Sequence, residues 1–203
     1  MWLALPFQVG FVGVALLIAS LGGRVVLPVA VLLVPALWVP AALQYVTRTV
    51  VPPVLQWHFM AFTTIGPYAG SALNVYGYVV HWDKVVHFDS GIMLAWLGML
   101  AVRRVEERVH VSLPRWFALA VLVATPMAFA AAWEICEFTS DHLFGTHAQL
   151  GNTDTMTDII SATAGALVTL AATLVWRRPR SVMPASLLRA GASEEPYGSE
   201  AIR

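Results

Sequence analysis

Residues 133–158 read WEICEFTSDHLFGTHAQLGNTDTMTD. The stretch holds five carboxylates (Glu134, Glu137, Asp141, Asp154 and Asp158) and two imidazoles (His142 and His147). Apolar runs long enough to cross a bilayer flank it on both sides. Charged groups at the edge of hydrocarbon are costly, so their accumulation there points to function. Glu134, Glu137 and Asp141 fall at i, i+3 and i+7, one face of a helix. Asp154 and Asp158 fall at i and i+4, one face of the next. Upstream, HWDKVVHFDSG places Asp83 and His87 at i and i+4 again.

The composition around this stretch sets the class. Of 203 residues, 58% are hydrophobic and 12% charged, and the mean hydropathy is +0.70. A soluble domain of this size needs far less apolar surface, so the chain reads as an all-α polytopic membrane bundle. Twelve basic residues balance twelve acidic ones, and no basic face for nucleic acid is present. The lone Cys136 excludes an internal disulfide and reads as a packing thiol rather than a nucleophile.

Five spans are expected, at about 2–21, 25–43, 84–102, 116–138 and 157–176, in a single bundle covering residues 1–180. The first lacks the basic start and cleavage site of a signal peptide and is kept as a helix. Gly22-Gly23-Arg24 makes the turn to the second, which Pro28, Pro35 and Pro40 should bend. Gln44 to Trp82 is rich in Pro, Gly and aromatic residues. It suggests an interfacial or re-entrant segment with Tyr68, Tyr76 and Tyr78 at headgroup level, a sixth helix being the alternative. Asn152 or Thr153 should cap the last span. Ser161/Gly165 and Ala162/Ala166 are small-xxx-small pairs that permit close helix contact. Residues 181–203 read as a disordered cytoplasmic tail.

The positive-inside rule puts Arg177-Arg178-Pro179-Arg180 in the cytoplasm, with Arg24, Arg103, Arg104, Arg108 and Arg115. Arg48 and Lys84 then fall outside. So do the amino terminus and five of the six histidines, His58, His81, His87, His142 and His147. Counting along each helix from its arginines, His87 lies about 24 Å, and Glu134 and Asp158 each about 28 Å, from the cytoplasmic ends. Three helices thus deliver polar groups just inside the outer boundary. Asp83, Glu137 and Asp154 follow one turn further out.

Carboxylates and imidazole are ligands for a divalent cation of unspecified identity. The candidate metal set is Asp83, His87, Glu134, Glu137, Asp154 and Asp158, with Lys84 a competing partner for the acids. Blander readings exist for each member. Asp83 can merely cap the third span and Asp154 the fifth, and Glu134 and Glu137 can snorkel outward. His142 and His147 fit plain surface histidines, and Asp89 faces away from Asp83 and His87 towards another helix. Trp82 and Trp133 fit an interfacial belt, and Met93 and Met99 the core.

WDKVVHFDSG, WEICEFTSDHLFG and GNTDTMTDIISATAGA together resemble the pattern of the YjdF-like family of bacterial inner-membrane proteins, over roughly residues 57–176. More distantly, the order Asp-Lys-x-x-His, Glu, Asp-x-x-x-Asp resembles VanZ-like proteins, linked to glycopeptide resistance. The resemblance implies a multi-pass protein of a bacterial cell membrane and supports the position of Asp83, His87, Glu134, Glu137, Asp154 and Asp158. It implies no settled activity. Three functions follow from the residues. The first is a metal-assisted enzyme on an envelope lipid or its headgroup, with His87, Glu134 and Asp158 as catalytic groups. The second is a cation- or proton-coupled transporter. The third is a non-catalytic envelope protein whose acids hold helices together.

Overall fold

A computed structural model describes residues 4–23 and 25–188. These form α1 (Ala4–Ser20), α2 (Leu27–Ala36), α3 (Val39–Thr47), α4 (Pro53–Thr63), a π-helix (Thr64–Ala72) and a 3₁₀ turn (Val75–Gly77). Then come α5 (Trp82–Val109), α6 (Arg115–Phe144), α7 (Asn152–Trp176) and α8 (Ala185–Leu188). No strand occurs among the described residues. Four stretches are long and apolar enough to cross a membrane: Leu27–Thr47, Trp82–Val109, Arg115–Phe144 and Asn152–Trp176. Ala4–Ser20 is a shorter apolar helix. The chain is an all-α, multi-pass membrane protein.

Helix ends follow local chemistry. Asp83 in the first turn of α5 and Arg108 in its last turn complement the helix dipole. Gly145 ends α6 in the left-handed region (φ 66°) and donates its N–H to the Asp141 carbonyl. The N-cap of α7 is Gly151, so neither Asn152 nor Thr153 takes the capping role expected of them. Asp154 is the first-turn acid of that helix.

Helices α5, α6 and α7 form the centre, and α5 with α7 is the most extensive pair. Backbone meets backbone there. A Cβ on Gly91 would land on the Ala162 carbonyl, and one on Gly165 on the Phe88 carbonyl. The small-residue pairs of α7 therefore serve this contact, and Ala162 and Ala166 are fully buried in it. Met93 and Met99 are core residues, packed with Ala95, Val102, Leu122 and Ala166.

Arginine side chains mark one end of the bundle. Arg103 donates to the Ser181 carbonyl at 2.5 Å, and Arg104 to the Thr49 hydroxyl at 3.0 Å. Arg108 donates to the Thr47 carbonyl at 2.8 Å. At the opposite end of α5, the Trp82 indole donates to the Ile65 carbonyl at 3.2 Å. Residues 49–76 thus run beside α5 from the arginine end towards the other. Arg48, expected outside along with Lys84, lies between two residues bound to Arg104 and Arg108 and so belongs to the arginine end. The Val26 N–H binds the Ala72 carbonyl at 2.9 Å, which puts the α1–α2 turn at the other end and the Ala4 end of α1 towards the arginines. This reverses the first two helices relative to a five-span count. Arg24 lies outside the described residues.

The π-helix has a local cause. Pro67 has no N–H, and its ring would clash with the carbonyl four residues back. Winding out to i→i+5 relieves this, as in the Leu73 N–H to Tyr68 carbonyl bond of 3.0 Å. The Tyr68 hydroxyl binds the Phe11 carbonyl at 2.6 Å, so Tyr68 ties α1 to this segment instead of sitting at headgroup level.

Residues 181–188, read in the sequence as the start of a tail, are packed. Val182, Met183 and Leu187 are buried. The buried Glu106 carboxylate accepts N–H bonds from Ala185 (2.6 Å) and Leu113 (2.9 Å), joining α8 to the α5–α6 loop. The remainder of the expected tail, 189–203, lies outside the described residues.

Candidate functional site

At the end opposite the arginines, α5 and α7 bring Lys84 among three carboxylates. Its Nζ lies 2.6 Å from Asp154 Oδ1, 2.6 Å from Asp158 Oδ1 and 3.2 Å from Asp83 Oδ2. The Asp158 side chain is 2% exposed and that of Lys84 24%. One turn deeper, His87 Nε2 is 3.5 Å from Asp83 Oδ1 and 3.9 Å from Asp158 Oδ1. Asp83, His87 and Asp158 each offer a ligand atom, and the three atoms lie within 4.8 Å of one another, close enough to hold a metal ion. Asp158 Oδ1 is shared: it is the Lys84 acceptor and the atom facing His87.

The other expected ligands stand apart from this triad. Asp154 is engaged by Lys84. Glu137 accepts the Trp133 indole N–H at 2.8 Å, so Trp133 has a partner on its own helix besides any belt role. Glu134 is 4% exposed, and neither of its carboxylate oxygens has a hydrogen-bond partner among the described residues. It points inward and does not snorkel.

Asp141 is a loop anchor. It accepts from the Thr146 hydroxyl (2.5 Å) and from the N–H groups of Ala148 (2.8 Å) and Gln149 (3.0 Å). His142 and His147 are exposed. Cys136, expected as a packing thiol, is exposed on α6, because the inward face of that turn is taken by Glu134. Asp89 pairs with His58 of α4 at 3.0 Å, the interhelical partner its place on the helical wheel demanded.

The sequence model of a family described as "Predicted membrane protein (DUF2238)" matches residues 3–179. The chain belongs to the DUF2238 family. An uncharacterised protein of Thermotoga maritima is 25% identical over 122 residues, 60% of this chain. The match spans 62% of that relative's length. No solved structure matches. Asp83, His87, Glu134, Glu137, Asp154 and Asp158 all fall within the DUF2238 match.

One group in this DUF2238 chain escaped the sequence. Tyr76, assigned to headgroup level, is 37% exposed, with its ring packed where a side chain on Gly70 would have to go. Burial first, then the charges of Asp83, Glu137 and Asp158, push its phenol well above the ordinary tyrosine range. Only the order Gly70-x-x-x-Asn74-x-Tyr76 hinted that this tyrosine would fold back.

Proposed function

We propose that the acidic end binds a divalent cation at Asp83, His87 and Asp158 and acts on the headgroup of an envelope lipid. The observation that carries this reading is the closeness of those three ligand atoms, within 4.8 Å, on two helices locked by a backbone seam. Carboxylate and imidazole suit a transition-metal ion better than a purely oxygen-seeking one. When bound, such a cation would polarise an ester or phosphoester oxygen. Glu134, buried on α6 without a hydrogen-bond partner among the described residues, is the candidate acid–base group. Lys84 is the incumbent cation: a metal at Asp158 has to share or displace its ammonium, so occupancy requires Lys84 to swing towards Asp154. Glu137 and Asp154 flank the triad as supporting acids. The location, the outer half of a bacterial inner membrane, rests on the arginine distribution and on the YjdF-like and VanZ-like resemblances.

The non-catalytic reading has one observation in its favour, the pairing of Lys84 with both Asp154 and Asp158, which ties α5 to α7 without any metal. The transporter reading is weaker. Between Asp89 and Glu106 of α5, and from Glu134 and Asp158 to the arginine ends of α6 and α7, no carboxylate occurs that could pass an ion along.

The test is Mn²⁺ binding to the purified protein, with thermal stability measured with and without Mn²⁺. The parent should bind and be stabilised. Glu134→Gln should keep the metal. Asp158→Asn and His87→Ala should lose it while still inserting. No metal effect in the parent removes the case for an enzyme.

A further inference from the structure

The arginine end carries an open cleft of about 470 Å³, far from the acidic triad, where the end of α5 meets residues 180–188. Arg103, Arg180 and His110 line it together with Val111, Ala185 and Leu188. Two clamps build it. Arg103 Nη1 donates to the Ser181 carbonyl at 2.5 Å, and the buried Glu106 carboxylate accepts from the N–H groups of Ala185 (2.6 Å) and Ser186 (3.3 Å). These bonds hold residues 181–188 against α5. They also bring Arg180, one position before Ser181, to the same wall as Arg103; the Arg180 carbonyl lies 3.5 Å from Arg103 Nη1. His110 closes α5 in the left-handed region (φ 55°) and turns the chain so that Val111 lines the cleft.

The charges of this cleft do not cancel. Glu107 also lines it, but it is shared by Arg103 (2.8 Å) and Arg104 (2.6 Å), and Glu106 serves backbone N–H groups. Among the described residues no carboxylate pairs with Arg180, and nothing accepts from Arg103 Nη2. Over residues 103–115 and 177–180, seven arginines stand against two glutamates. Guanidinium groups match phosphate oxygens in both charge and shape. Depth and lining then choose the source of the phosphate. Arg103 lies about 24 Å along α5 from His87, and His110 about 10 Å further, so the cleft sits at the headgroup level of the cytoplasmic leaflet. It is also much larger than a bare phosphate needs, and Val111, Ala185 and Leu188 give it an apolar side. We propose that this cleft binds an anionic phospholipid of the cytoplasmic leaflet. Arg180 and Arg103 Nη2 hold its phosphate, and the apolar side takes the start of an acyl chain. The site is separate from the acidic end and stands whether or not a metal binds there.

The experiment is native mass spectrometry of the full chain in detergent carrying equal amounts of phosphatidylglycerol, phosphatidylethanolamine and phosphatidylcholine. An arginine at a headgroup multiplies binding about fivefold, so two should make the parent retain phosphatidylglycerol over phosphatidylcholine about 25-fold. Arg180→Gln, at an exposed position, should lower that preference about fivefold without lowering the melting point. Arg178→Gln, exposed at the same end but outside the cleft lining, should leave it unchanged. Equal retention of the three lipids by the parent overturns the proposal, as does an unchanged preference in Arg180→Gln. An equal loss in Arg178→Gln and Arg180→Gln also overturns it, by assigning the preference to the diffuse charge of the whole end. Sodium phosphate, against sodium chloride of equal ionic strength, tests the source. Phosphatidylglycerol should stay bound in both; its selective displacement by inorganic phosphate makes the ligand a soluble anion and overturns the lipid assignment.

Discussion

Replacing Lys84 by Met removes the ammonium that serves Asp154 and Asp158 and keeps most of its apolar stem. The Asp158 side chain is 2% exposed and that of Asp154 19%, so neither acid recovers full hydration. Breaking a buried pair from one side costs about 3–5 kcal/mol. The contact to Asp83, whose side chain is 37% exposed, adds about 1 kcal/mol at most. For a chain of 203 residues each kcal/mol moves the melting point about 2–4 °C, so Lys84→Met should melt about 6–24 °C below the parent. Tryptophan fluorescence in detergent reads this directly. Two rescues follow. Adding Asp158→Asn should restore most of the loss by deleting the stranded charge. Mn²⁺ at a hundred times its Kd should return about 2.7 kcal/mol, since the freed carboxylates of Asp154 and Asp158 can then both reach the ion. A variant that melts within about 2 °C of the parent, and ignores both rescues, refutes the account of Lys84 as the charge that holds this cluster.

Gly165→Ala should cost about 1–3 kcal/mol and weaken Mn²⁺ binding, because the new methyl meets the Phe88 carbonyl and pushes α7 off α5. Gly10→Ala, with open space at its Cβ, is the silent control. Glu106→Leu strands the N–H groups of Leu113, Ala185 and Ser186; it should lower stability by about 3 kcal/mol and expose residues 181–188 to limited proteolysis. In a Cys136→Ser background, cysteines at Arg48 and Arg108 should react with an impermeant reagent from the same side of the membrane. A cysteine at Ala148 should react from the opposite side. Labelling of Arg48→Cys together with Ala148→Cys contradicts the end-to-end course of residues 49–76.

The long helices were legible because hydropathy and length speak for themselves in a bilayer. The depth count placed His87, Glu134 and Asp158 at one level because helical rise is fixed, and His87 and Asp158 do meet. What the sequence left open depends on which way side chains turn. Spacing alone could not tell that Lys84 would take Asp154, or that Trp133 would take Glu137 and leave Glu134 without a partner. Residues 53–72 hid their course because Gly66 and Pro67 read as breakers. A π-helix absorbs the proline and carries the chain on. The packing of Val182, Met183 and Leu187 was hidden by the polar residues around them. The acceptor that holds this segment, Glu106, sits some eighty positions earlier in the chain.

The α5–α7 seam has a consequence for sliding. A contact built from Gly91, Ala162 and Gly165 brings two backbones close but offers no protruding side chains to fix how far one helix is shifted along the other. Displacing α7 by a single turn, about 5.4 Å, would still present small residues to α5. It would, however, carry Asp154 and Asp158 out of reach of Lys84. The ion pairs at the acidic end therefore join the Met99–Thr173 contact in selecting one axial position. Any event that draws Lys84 away leaves that choice to packing alone.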